Sequence, residues 1–209
     1  MYRAIIPGHI LQGGISTSIP HHLTEKLLTQ FSASSRCSSI FIDPAAGFSV
    51  DKFPKVKESN SDLSDGTKAF AICTEDDNLG TFVSDQVFSI AVLSPFFRST
   101  KLNQALENWT ASFPEARISV FKYGRILSSD ADPSFLKGRK IPDMLADKSY
   151  PIMSQFLPAR YRELEARHLA QAIRLNLETC EPEYRDPLQK VEYLDFTDCM
   201  KIIGLEDKI

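Results

Sequence analysis

Short, almost unbroken apolar runs recur along this chain, and helix-like stretches separate several of them. They include Ala4-Ile5-Ile6 within residues 3–7, Ile40-Phe41-Ile42 within 39–43 and Ala69 to Cys73 within 68–73. Val87 to Leu93, Ile118 to Tyr123 and a last short run, Val191 to Leu194, complete the set. A strand that is apolar on both faces has to be buried on both faces. Strands of this kind, alternating with helices, imply a parallel sheet covered on each side. The expectation is a doubly wound, mostly parallel α/β fold of Rossmann-like type. It occupies a single domain, 1–209, in which 125–209 includes a small C-terminal lobe.

The helices are read from apolar spacing. Leu23, Leu27, Leu28 and Phe31 make one face of a helix expected over 19–31, with Ser16, Thr17 and Ser18 as capping hydroxyls and Pro20 in its first turn. Leu102, Ala105, Leu106, Trp109 and Phe113 place a second helix, capped by Ser99 or Thr100. A third is expected over 162–178, with a stripe of Leu169, Ala172, Ile173 and Leu177, and with Glu163 pairing with Arg167 one turn on. Thr197 is the expected N-cap of a final short helix, which Gly204 closes. Residues 44–66 read as loop with at most a short strand near Val56, 74–86 as polar loop, and 128–158 as turn-rich.

Composition excludes several classes. A net charge of -3 and no Lys/Arg-rich run leave no electrostatic footprint for nucleic acid. The longest apolar stretches are about six to eight residues, against the roughly 20 that a membrane-spanning helix needs. The start of the chain lacks the charged-then-apolar pattern of a secretory signal. Cys37, Cys73, Cys180 and Cys199 form no CxxC pair, so buried, reduced thiols are expected rather than zinc or redox chemistry. That points to cytoplasm or an organelle matrix, a reducing compartment, and not to secretion. No metal site is expected. His21 and His22 are adjacent on a helix and diverge, His168 reads as a partly buried histidine, and Glu75-Asp76-Asp77 reads as a solvated loop.

In such a sheet, ligands bind beyond the carboxyl ends of the strands. Those ends are the loop from Gly8 to Gly14, Asp43, Thr74 to Asn78, Ser94 to Phe97 and Tyr123 to Ser129. Gly8, Gly13 and Gly14 between a strand and a helix are suited to letting backbone approach a pyrophosphate at a helix's positive end. Asp43, 35 residues after Gly8 where about 20 is usual, stands where an acid holds ribose hydroxyls. The spacing G-x-x-x-x-G-G matches neither G-x-G-x-x-G nor a P-loop, because Ile15 follows Gly14. Two readings stand: a dinucleotide cradle, and a plain strand-to-helix turn.

Five segments together resemble the short-chain dehydrogenase/reductase superfamily, in its atypical, extended or NmrA-like form. VFSIAVLSP (87–95) resembles the strand that ends near the catalytic Ser, and FFRSTKLNQALENW (96–109) resembles Y-x-x-x-K and its helix. ARISVFKYGRILSS (116–129), RELEARHLAQAIRLNLE (162–178) and VEYLDFTDCMKII (191–203) resemble the later strand, helix and closing elements. The resemblance implies NAD or NADP as cofactor, Lys101 at the lysine position that holds the ribose, and Ser94 at the serine position. The tyrosine position is Phe97, and Phe96 precedes it. A phenyl ring has no proton to transfer, so standard hydride-transfer chemistry is not expected. The Arg-Pro-Gly turn of the family is Lys122-Tyr123-Gly124 here. Two functions follow: an NAD(P)-binding protein of this type without the standard activity, or a non-catalytic accessory or assembly subunit of a larger complex. A third, an enzyme using other residues, would need Tyr123 or Tyr161 at the site.

Overall fold

A computed structural model describes residues 1–6, 9–11, 14–16, 19–42, 52–58, 68–77, 79, 87–96, 101–127, 158, 162–179 and 190–206. Seven strands form one sheet: β1 (Tyr2–Ile6), β4 (Cys37–Ile42), β5 (Val56–Glu58), β6 (Lys68–Thr74), β7 (Val87–Pro95), β8 (Arg117–Tyr123) and β11 (Val191–Leu194). Their order across the sheet is β5-β4-β1-β6-β7-β8-β11, and every pairing is parallel. The expected strands are all present, including the short one at Val56.

β1 is where the winding reverses. It pairs with β4 on one side (Ala4↔Ile40) and with β6 on the other (Ala4↔Phe70). Helices lie on both faces. α1 (His21–Ala33), α3 (Ala166–Thr179) and the short α4 (Phe196–Ile202) share one core with Ala4, Ile6, Ile40, Ile72 and Phe121. α2 (Leu102–Ser112) covers the opposite face, packing Leu102, Leu106 and Trp109 with Cys73, Val92 and Val120. Strand residues alternate between these two cores, as the period of two requires. The predicted stripe of α3 is buried throughout: Leu169, Ala172, Ile173 and Leu177. Of the stretch expected to include a small lobe, α3, β11 and α4 join the main sheet and its α1 face. Residues 128–157 and 159–161 lie outside the described ones.

Several helix starts differ from expectation, each for a local reason. Between β1 and α1 the chain makes two short strands, β2 (His9–Leu11) and β3 (Gly14–Ser16), paired antiparallel with Leu11 opposite Gly14. Ser16 is spent in β3, so it does not cap α1. The N-cap is Pro20, with ψ 135°, and no side chain caps the helix. α2 likewise starts without a side-chain cap, at Lys101. The helix expected from residue 162 starts at Ala166, because Glu163–Glu165 form β10, paired in parallel with β9 (Arg125–Leu127). The expected Glu163–Arg167 pair gives way to Arg167 Nε at 2.5 Å from Glu165 Oε2. For α4 the cap is Asp195 rather than Thr197. Its carboxylate accepts from the amides of Thr197 and Asp198, and the Asp198 carboxylate accepts in turn from the Asp195 amide. Gly204 does close α4, at φ +71°. Its amide bonds to the Lys201 carbonyl at 3.0 Å and the Leu205 amide to the Met200 carbonyl at 2.9 Å, a Schellman pattern.

Candidate functional site

The carboxyl ends of β6, β7 and β8 lie side by side. Thr74 pairs with Leu93 and Leu93 with Phe121, and one residue further Ser94 pairs with Lys122. Glu75 follows Thr74 in the turn after β6, beyond the last paired residue. Cys73, Val92 and Val120 all face the α2 side. Two residues on, Ser94 and Lys122 therefore stand on that side too, and Glu75, in the turn, lines the groove beside α2. A hydroxyl and an amine thus lie near the carboxyl ends of two adjacent strands, with an acid in the turn after the third.

Lys122 Nζ donates to Ser94 Oγ at 3.1 Å, and Ser94 is fully buried. Because the ammonium donates, the serine's own O–H remains available to another acceptor. Burial lowers the pKa of Lys122, and the Glu75 carboxylate opposes that shift. Glu75 Oε2 is itself buried without a hydrogen-bond partner. The turn after β6 is fixed by Asp77, whose Oδ2 accepts from the Thr74 amide at 2.6 Å and from Thr74 Oγ1 at 3.1 Å. Beside it a groove of about 380 Å³ runs along the flank of α2, lined by Asp76, Lys101, Asn108, Trp109 and Phe113 among others.

The residues singled out from the sequence are distributed as follows. Ser94 lies in the row just described. Lys101 does not meet it. Its Nζ bonds to Asp76 Oδ1 at 3.0 Å, and the side chain is 68% exposed. Gly14 sits in β3. Gly8, Gly13, Asp43, Phe97 and Tyr161 fall outside the described residues. Tyr123 is half-buried at the end of β8, where its carbonyl accepts the Phe96 amide at 3.0 Å. Lys122 and Glu75 do not stand out in the sequence. The first reads as part of a turn and the second as one of three acids in a loop. The signal that marks them is position: each stands two residues beyond a core residue at a strand's carboxyl end.

A strand order of β5-β4-β1-β6-β7-β8-β11, all parallel, is the order 3-2-1-4-5-6-7 of a doubly wound nucleotide-binding sheet. The chain has a Rossmann-like α/β fold. No protein-family model matches it, and no curated protein does. Among solved structures, it is similar to one provisionally described as a betaketoacyl-ACP reductase. The identity is 14%, the TM-score 0.43, and the match covers 93% of this chain and 96% of that one. It is also similar to the dTDP-glucose 4,6-dehydratase DesIV from Streptomyces venezuelae, solved with NAD and TYD bound. There the identity is 11% and the TM-score 0.43, over 98% of this chain and 80% of that one.

The described residues fit a dinucleotide at one point. α1 comes after β1 and the intervening β2 and β3 at the reversal of the sheet, with no side chain capping it and no acid in its first turn. The amino end of a helix carries partial positive charge that attracts anions, and in α1 the Leu23 amide already bonds to the Pro20 carbonyl at 2.9 Å. Among the described residues no helix is long and apolar enough to cross a membrane, and no three His, Cys, Asp or Glu cluster as a metal site would need.

Proposed function

We propose that this protein binds NAD(H) or NADP(H) across the carboxyl edge of its sheet, as an atypical member of the short-chain dehydrogenase/reductase superfamily without the standard hydride-transfer activity. The observation that carries this reading is the reversal of strand order at β1, with an acid-free, uncapped α1 after it. The amino end of α1 would hold the pyrophosphate. Gly8, Gly13 and Gly14 would allow its approach, and Asp43, directly after β4, would accept from ribose hydroxyls. A nicotinamide cofactor, when bound, supplies a hydride carrier. By the resemblance, Phe97 takes the position of the family's proton donor, and a phenyl ring would offer no proton to the reacting oxygen. For Lys101 to reach a ribose, its ammonium would have to leave Asp76.

The test is titration with NADH and with NADPH, followed by nucleotide fluorescence and by melting temperature. At a hundredfold excess over Kd the expected stabilisation is about 2.7 kcal/mol, a Tm rise of roughly 5–10 °C for a chain of this size. No response to either nucleotide at millimolar concentration overturns the reading. The groove along α2 favours a second reading, in which the same fold serves as an accessory subunit. That reading predicts a stable assembly in gel filtration of the native source, and a monomer there counts against it.

A further inference from the structure

The group Glu75, Ser94 and Lys122 has a chemistry that needs no nucleotide. We infer that Lys122 is a carbonyl-capturing amine, forming an imine with small neutral aldehydes or ketones at the carboxyl edge of β8, with Ser94 as its proton relay and Glu75 as its positioning residue. Three observations support this. Lys122 Nζ is held at 3.1 Å from a buried hydroxyl, so it is aimed rather than mobile. Glu75 Oε2, in the turn after β6, is buried with no hydrogen-bond partner, so one acceptor at this edge is unused. Pro95, Phe96, Lys122 and Tyr123 are each partly exposed, so the end of the row is open to a small molecule.

The charged neighbours define both reactivity and substrate class. Burial favours the neutral amine of Lys122, which is the nucleophile, against the pull of Glu75. From the neighbouring turn and α2, Asp77 is bound to Thr74, and Lys101 is paired with Asp76. The surrounding field is therefore acidic, which disfavours keto acids and leaves neutral carbonyl compounds. In the step itself the nitrogen lone pair attacks the carbonyl carbon and the π pair moves to oxygen. A proton passes from nitrogen to that oxygen through the Ser94 hydroxyl. The C–O bond then breaks as C=N forms, and the second nitrogen proton leaves with the departing water. The sum is amine plus carbonyl giving imine plus water, with no change of oxidation state.

The experiment exposes the full-length protein briefly to butanal, or to glyoxylate, with cyanoborohydride to trap the imine, and maps modified lysines by peptide mass. With butanal, Lys122 is expected to be labelled several-fold faster than the exposed Lys101, with a smaller preference for glyoxylate. Lys122→Arg removes the fast-labelled peptide, and Ser94→Ala slows labelling of Lys122. Glu75→Gln moves the midpoint of the labelling profile to lower pH, because the carboxylate no longer favours the ammonium. A merely structural glutamate would leave that midpoint in place. Circular dichroism melts of each variant establish that it is folded. Labelling of Lys122 no faster than of Lys101, or a midpoint unmoved by Glu75→Gln, overturns the inference. Nucleotide titration of the same preparation scores the dinucleotide reading separately. Preferential labelling without NADH or NADPH binding would leave this inference standing and the other fallen.

Discussion

Glu192→Ala is expected to destabilise this protein by about 3 kcal/mol, within the range for breaking a buried ion pair. Glu192 lies on β11 opposite Ser119 of β8. Its Oε1 accepts from the Arg117 guanidinium, from Ser119 Oγ at 2.6 Å and from Asn176 Nδ2 of α3 at 3.1 Å. Ser119 Oγ also lies 3.1 Å from Asn176 Oδ1. A hydroxyl has one proton to give, and the shorter contact to the carboxylate takes it. One carboxylate thus joins the last strand, its neighbour and the helix packed on them. Its removal leaves Asn176 at 6% and Arg117 at 9% exposure short of an acceptor, moves the Ser119 proton to the longer contact with Asn176 Oδ1, and Arg117 Nη1 already lacks a partner. Each hydrogen bond to a charged group contributes about 1.5–3 kcal/mol. The sum of three exceeds the expected total because the Glu192 side chain is still 26% exposed and water can replace part of what is lost.

The assay is urea unfolding followed by circular dichroism. With a slope of about 2 kcal/mol/M, the midpoint should fall by roughly 1.5 M. The pH dependence gives an independent check. Burial alone would raise the pKa of Glu192, but the bonds from Arg117 and Ser119, the charge of Arg117 and the bond from Asn176 outweigh it and hold the pKa below the ordinary 4.5. A folded-state value below the unfolded one means that the contribution is complete above about pH 5 and is lost as the pH falls through the folded value. The stability gap between wild type and Glu192→Ala should therefore narrow in acid. A cost under about 1 kcal/mol, or a gap independent of pH, would refute this account of how β11 is held.

Smaller changes probe α4 and the buried thiols. Asp195→Ala removes the side-chain cap of α4 and should cost about 1 kcal/mol, measurable as a fall in Tm. Gly204→Ala should cost about 1 kcal/mol through backbone strain at φ +71°, because nothing lies within 4 Å of the added carbon to clash with it. Burial pushes the Cys37 thiol up to about 11. Burial, together with Asp198 and Asp195, pushes Cys199 up to about 12, and Cys73 is also raised by burial. Iodoacetamide at mildly alkaline pH should therefore label all three far more slowly in the native protein than in urea, by peptide mapping.

What can be read in the sequence divides along the range of the interaction that decides it. Runs such as Ala69 to Cys73 determine their own surroundings, because a strand apolar on both faces has only one kind of environment open to it, and the parallel sheet follows from that. The stripe on α3 is legible for the same reason. Its start is not: Glu163-Leu164-Glu165 suits a first helical turn as well as a strand, and pairing with Arg125–Leu127 decides it. The glycine stretch is ambiguous in the same way. Gly14 suits a phosphate cradle or a plain strand-to-helix turn by its position, and its antiparallel pairing with Leu11 is set by a contact the local sequence does not announce. Ser94 is visible because the end of a buried strand is a local property. Lys122 is not, because its meaning lies in a partner 28 residues away in sequence, and only the register of β7 on β8 brings the two together. The residue that the resemblance favours, Lys101, is engaged by an acid on the exposed side of α2. The chemistry of this edge therefore depends on strand register more than on any motif. A one-residue slip of β8 would turn Lys122 to the other face of the sheet and leave Ser94 buried without its donor.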